Sequence, residues 1–267
     1  MKHHDNIPVW DVQISVFGPV SIEQIFELNV RKDLEHPEAF YSNVRVQHSE
    51  NGFDAIVTAF APNSELAESA AVLWFGRMLD FLTLKLDLPL QLDLTENFLV
   101  QKNFHRVKRK IDIDDFRFAF RESRIFSIEE TVYSRSLSWY RKGKYTQDPF
   151  DKFLAFWNSI EAVASYYNPN KQACEGKGTI CQIWESFKHV WGECTDWEFI
   201  GGQTHWIDEG NKIRKNIAHG IIPIEIDSIQ TIMNKIPEVE KVAHKFLNDW
   251  FRVVRPKMTP KLINKLR

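Results

Sequence analysis

Ile213-Arg214-Lys215-Asn216-Ile217-Ala218-His219-Gly220 places a guanidinium, an ammonium, an amide and an imidazole on one short stretch. An arginine is always charged, and its planar fork matches the oxygens of a phosphate. A histidine titrates near neutrality, at about 6.5, so it can take up or release a proton. Together they can hold a phosphate, orient it and move a proton. The stretch needs a rigid support, and the sequence supplies one. Trp206, Gly210, Ile213 and Ile217 recur at helical spacing, which predicts a helix with one buried face. Gly210 on that face would let another backbone come close. Gly220 is a natural helix stop, and Pro223 follows it. Arg214 and His219 lie just off the apolar line, where a functional pair would reach a cleft. A purely structural alternative stands beside this: Arg214 binds helix-terminal carbonyls, and His219 is a favourable cation at the helix C-terminus.

Composition narrows the field. A chain of 267 residues can form one large domain or two small ones with ample core. Its net charge of -2 exerts no overall pull toward nucleic acid, so any such binding needs a local patch. No apolar run approaches the ~18 residues of a membrane span, so no membrane partner is expected. The start, MKHHDNIPVW, lacks the apolar core of a signal peptide, and a cytoplasmic location is expected. Cys174, Cys181 and Cys194 are odd in number and form no CxxC pair, which fits free thiols in a reducing cytosol better than a disulfide framework or a zinc site. The 20 Phe and 9 Trp exceed what a small core needs, pointing to a large core or to a subunit interface.

The first part reads as strands. Trp10, Val12, Ile14 and Val16 alternate with polar residues, as do Phe26, Leu28 and Val30. Val44 and Val46 lead into Glu50-Asn51-Gly52, and Phe53 to Phe60 is nearly all apolar. Asn-Gly between two such runs predicts a hairpin, and an antiparallel meander is the simplest arrangement. A helix follows, capped by Asn63 or Ser64, with Ala67, Ala70, Ala71, Trp74, Phe75, Met78 and Leu82 facing the sheet. Leu90, Leu92 and Leu94 suggest one more strand. The segment from Ile111 to Phe126 is ambiguous between helix and strand.

From Ser127 onward the pattern is helical. Ser127 and Glu130 have capping-box spacing. Asp148-Pro149 is a cap followed by proline at the first helical position. Behind it, Phe153, Phe156, Trp157, Ile160, Ala164 and Tyr167 follow the helical period, and Asn168-Pro169 ends the helix. Further helices are expected from Ile180 to Trp191, around Arg214, and from Asp227 to about Phe251, where Pro237 should kink or split the last one. The fold class is therefore α+β: an antiparallel sheet with a packed helix over residues 1–110, an all-α bundle over 111–255, and a basic tail over 256–267.

Other chemistry is poorly represented. Glu175-Gly176-Lys177-Gly178-Thr179 lacks the first glycine and the preceding strand of a phosphate-binding loop, and there is no G-x-S-x-G elbow and no H-E-x-x-H. The scattered histidines have no metal-ligand spacing. No motif calls for a metal or a cofactor.

Two segments taken together carry a resemblance. They are Phe156-Trp157-Asn158-Ser159-Ile160-Glu161-Ala162 and, later, Arg214 with Asn216, His219 and Gly220. Over about residues 127 to 255 the chain resembles the HEPN superfamily (higher eukaryotes and prokaryotes nucleotide-binding domains), especially its Apea-like branch. That branch has an aromatic-rich helix ending in Ile/Leu-Glu-Ala and a later Arg-Asn-x-x-x-His-Gly turn. The resemblance implies a HEPN-like helical bundle, a homodimer and a metal-independent endoribonuclease, with two motifs meeting in one cleft. The segment APNSELAESAAVLWFGRMLDFLTLKLDLPLQL is faintly similar to proteins named from methylamine-utilisation clusters.

By position, Arg214 corresponds to the family arginine and His219 to the family histidine, and Asn216 completes the catalytic set. Lys215 stands where the family has its polar residue, so the amide of Asn216 is rotated by about 100°. Asn216 lies three residues before His219, on the same helical face. Glu161 either orients Arg214 through a bidentate pair or faces solvent. Metal-free RNA cleavage needs a base for the 2'-hydroxyl and an acid for the leaving oxygen, both within the reach of histidine. The arginine would stabilise charge on the phosphoryl oxygens. The basic run KNFHRVKRK, with Lys102, Arg106, Lys108, Arg109 and Lys110, is either a solvated linker or an RNA contact. The tail, with Lys257, Lys261, Lys265 and Arg267, poses the same choice. RNA is thus the expected partner, for a ribonuclease of the toxin or defence-effector kind or for a non-catalytic binding or scaffold protein.

Overall fold

In the computed structural model, residues 7–29, 40–93, 107–223, 225–254 and 256 are described. The chain divides between Ile125 and Phe126 into two compact units.

In the first unit the alternating sequences form strands. They are β1 (Val9–Phe17), β2 (Val20–Ser21), β3 (Phe26–Asn29), β4 (Phe40–Ser49) and β5 (Gly52–Phe60). The helix α1 (Ser64–Leu86) follows, then β6 (Gln91–Asp93), β7 (Arg109–Lys110) and α2 (Ile113–Glu129). The five-stranded antiparallel sheet has the order β3-β4-β5-β1-β6. Only β3-β4-β5 is a meander. β1 adds to the far side of β5, and β6 returns beside β1, pairings between distant segments that local pattern does not encode. β2 and β7 form a separate parallel pair.

The β4–β5 turn differs from the expected Asn-Gly turn. Ser49 pairs with Gly52, leaving Glu50 and Asn51 as the loop, and neither has a positive φ. Gly52 is needed for another reason. A Cβ on it would fall 2.0 Å from the Val16 carbonyl oxygen on β1, so the glycine lets two strands approach.

Ile14, Val16, Phe53, Ala55, Val57 and Ala59 are buried, as are Ala67, Ala71, Phe75, Met78 and Leu82 of α1. Asn63 caps α1, its side chain accepting from the Leu66 N–H at 2.9 Å. Trp74 is half-buried rather than core, with Arg77 5.1 Å from its ring. The ambiguous segment from Ile111 is helical. Phe116 of α2 packs on Phe26 and Phe53 at 5.6 and 5.3 Å, and Asp115 pairs with Lys85 of α1 at 2.6 Å.

The second unit contains the end of α2 and five further helices, α3 (Thr131–Tyr145), α4 (Pro149–Tyr166), α5 (Gly178–Trp191), α6 (Trp206–Ala218) and α7 (Ile226–Val254). α4 is its centre and packs against the other four. Asp148 caps it as expected, accepting from Asp151 N–H at 2.9 Å with Pro149 behind it. Gly143 of α3 lies against the Phe156 ring, where a Cβ would fall 2.7 Å away. Phe187, Trp191, Trp197, Trp206 and Phe246 form a second aromatic group among α5, α6 and α7.

Three expectations change here. Ser127 is not a cap: α2 runs through it, because Phe126 must pack on Tyr133 and Phe251. Glu130 precedes α3 without a capping bond and instead accepts from the Tyr167 hydroxyl at the end of α4. Pro237 does not split α7. The carbonyl it deprives of a donor is that of Met233, and both residues are exposed, so water can satisfy it. Cys174 and Cys181 form a disulfide rather than two thiols. The turn before α5 brings their Cα atoms to 5.5 Å, within bridging range, and Cys194 stays free.

Candidate functional site

α6 is held at its start by burial of Trp206 and Ile207, with the Trp206 indole N–H donating to Glu238 of α7 at 2.7 Å. Asp208 and Glu209 in the first turn complement the helix dipole. One turn on, Gly210 meets the Trp157 ring of α4 so closely that a Cβ would fall 2.1 Å from it. One further turn along both helices, Arg214 meets Glu161, with Nε 3.3 Å from Oε2. The two contacts advance by four residues on each helix, so α4 and α6 run in the same direction along this seam.

The Arg214 and Glu161 side chains are 30% and 17% exposed, yet the contacting atoms Nε and Oε2 are themselves buried. They are close enough for an ion pair but not aligned for a hydrogen bond. Because Nε is enclosed, the exposed part of Arg214 is the rest of its side chain. The arginine is thus anchored from behind by a carboxylate on a buried helix.

α6 ends as expected. His219 is its C-cap, its backbone N–H donating to the Lys215 carbonyl at 3.0 Å. Gly220 turns left-handed at φ +65°. Ile221 N–H then donates to the Asn216 carbonyl at 2.8 Å, so the backbone of Asn216 fastens the turn. The His219 side chain is exposed, Lys215 is exposed and Asn216 is half-buried. The structure therefore brings Arg214 to Glu161. Among the described residues no hydrogen bond joins Arg214 to His219, and continuing the helical repeat puts position 219 about 140° round the axis from 214.

Of the basic run, Lys102 and Arg106 lie outside the described residues. Arg109 and Lys110 form β7, with Arg109 N–H donating to the Pro19 carbonyl at 2.8 Å. The Lys108 ammonium donates to the Glu50 carbonyl, and Lys110 pairs with Glu23. The tail beyond Pro256 is also outside the described residues. Among the described residues no helix is long and apolar enough to cross a membrane, and no three His, Cys, Asp or Glu side chains gather as a metal site would need.

α3 carries residues that the motifs above do not include. Arg135 and Lys142 flank Trp139, at 5.3 and 5.5 Å from its ring. Their spacing of i, i+4 and i+7 is the signal for one helix face. Compared with known proteins, the chain matches no family model, no curated protein and no solved structure.

Proposed function

We propose that this chain is a metal-independent endoribonuclease of HEPN type, whose second unit is a HEPN-like bundle acting as a homodimer in the cytoplasm. The observation that carries the reading is the Glu161–Arg214 ion pair. It joins the two sequence segments on which the resemblance rests, far apart in the chain. A fixed arginine with its outer part exposed suits a phosphoryl group that gains charge in the transition state. His219, exposed at the end of the same helix, takes the 2'-hydroxyl proton. The 2'-oxygen then attacks phosphorus, and the 5'-oxygen leaves with a proton. A second copy across a two-fold axis supplies the second histidine, so that one acts as base and the other as acid. Asn216 and Lys215 flank the pair as positioning and phosphate-contacting groups.

One observation favours the rival reading of a non-catalytic RNA- or nucleotide-binding scaffold. Lys215 stands exposed where the family places its polar residue, and Arg214 already has a carboxylate partner that offsets part of its charge.

The test is cleavage of mixed cellular RNA by purified protein in EDTA, with Arg214→Ala and His219→Ala alongside. Cleavage by wild type alone supports the ribonuclease. Retained RNA binding without cleavage, by a folded wild-type dimer, selects the scaffold. A toxin also predicts slowed growth on expression, relieved by His219→Ala.

A further inference from the structure

We infer that the outward face of α3 is a binding platform for single-stranded nucleic acid, with Trp139 as its stacking surface and Arg135 and Lys142 as its phosphate contacts. The helical repeat puts Trp139 and Lys142 within about 40° of Arg135 round the axis. Tyr133, Leu137 and Tyr140, all buried, lie on the opposite side of the helix. The stripe is therefore turned away from the core. Arg135 is exposed, and Trp139 and Lys142 are half-buried.

The chemistry favours an extended polyanion with flat bases. α3 contains no acidic residue, against four basic ones, Arg135, Arg141, Lys142 and Lys144. Of two nearby carboxylates, Glu130 is engaged by Tyr167, and Glu240 pairs with Lys144 of α3 itself at 2.5 Å, offsetting one of the four charges. Arg135 and Lys142 lie about 10 Å apart along the axis, with the indole between them. Both cations lie over the indole ring, so a base that displaces one of them would stack on Trp139 with its phosphates within reach of both. Stacking on an aromatic ring combined with backbone contacts is how proteins hold single strands without reading sequence. An anionic membrane would also attract the cations, but a bound amphipathic helix needs a broad apolar face. Here Thr131 and Ser138 share the outward side with only Trp139 and the small Val132, which is half-buried.

The platform goes beyond the ribonuclease reading and does not require cleavage. The probe is a fluorescein-labelled 2'-O-methyl oligouridylate, which lacks the nucleophilic hydroxyl and cannot be cut by the proposed chemistry. Binding to the full chain is followed by fluorescence anisotropy in EDTA over a salt series. The expected result is binding that Trp139→Ala weakens about tenfold or more, while Trp139→Phe stays near wild type. Replacing both Arg135 and Lys142 by Gln should flatten the log–log salt slope by about 1.4. Circular dichroism checks that each variant is folded. No binding by folded wild type, or equal binding by all variants, overturns the inference. So does α3-dependent binding to phosphatidylserine vesicles with none to the oligonucleotide. RNA cleavage by a wild type whose oligonucleotide binding is the same in every α3 variant overturns this inference alone. Binding that survives the absence of cleavage overturns only the ribonuclease.

Discussion

Gly210 of α6 lies against the six-membered ring of Trp157 on α4, and no side chain larger than hydrogen fits between them. The contact sets the separation of the two helices one turn before Arg214 meets Glu161. Gly210→Ala should therefore destabilise the protein by about 2 kcal/mol or more, because overpacking outweighs the gain in helix propensity. Urea denaturation measures it. The double variant with Trp157→Leu should lose less than the sum of the two single variants, since it removes the ring that the new methyl strikes.

Glu161→Gln removes the carboxylate behind Arg214 and leaves its buried Nε without a counter-charge. With both side chains partly exposed, the expected loss is about 1–2 kcal/mol. A double-mutant cycle with Arg214→Gln should give a coupling of about 1 kcal/mol in urea melts. Zero coupling would mean that the ion pair contributes nothing to stability.

Tyr167 and Tyr133 should make the protein alkali-sensitive. Burial raises the Tyr167 phenol above its ordinary value, and its hydrogen bond to Glu130 adds to this. Burial likewise raises Tyr133, followed by the charge of Tyr167. An unfolded tyrosine titrates near 10. Above about pH 10 the unfolded chain therefore releases protons that the folded chain keeps, and stability falls as pH rises. Urea midpoints at pH 9 and pH 11 should separate more for wild type than for Tyr167→Phe. An equal separation would count against a perturbed Tyr167.

The Cys174–Cys181 bridge closes a short loop, with a sequence separation of 7. Chain entropy gives a stabilisation of about 2.5 kcal/mol for a loop of that size. Reductant should lower the melting temperature of wild type and leave Cys174→Ser/Cys181→Ser unchanged. Mass spectrometry after alkylation under denaturing conditions should find one blocked thiol, Cys194, before reduction and all three after it. Three blocked thiols without reduction would show that the bridge is absent.

Local patterns could be read directly wherever local chemistry fixes the outcome. The Asp148-Pro149 start of α4, the Asn63 cap and the Gly220 stop each depend on a few neighbouring residues, and each appears in the structure. The apolar stripe of α6 holds only in part: Trp206 and Gly210 are buried, but Ile213 and Ile217 are half-buried, and Ile207 and Asn211 complete the buried face instead. The strand order could not be read, because β1 chooses between edges that its own residues do not distinguish. Ser127 has a cap's spacing but yields to the packing of its neighbour Phe126. The disulfide is hidden because three cysteines without a paired motif give no clue to which two meet. The α3 platform is hidden for another reason: an exposed face escapes the periodicity of burial, and only the chemistry of Arg135, Trp139 and Lys142 marks it. For the site, the helix and the position of Arg214 were readable, and Glu161 stood open between pairing with Arg214 and facing solvent; the structure gives the pair, through one Nε–Oε2 contact.

The seam between α4 and α6 has a consequence for how the chain can change length. Trp157 and Gly210 mark one step, Glu161 and Arg214 the next, and each step is one helical turn on both sides. Substitutions there can be compensated by the facing residue. A single inserted or deleted residue between 157 and 161, or between 210 and 214, would turn one side by about 100° and part the arginine from its carboxylate. Related chains that keep this pair should therefore preserve both four-residue intervals without a gap.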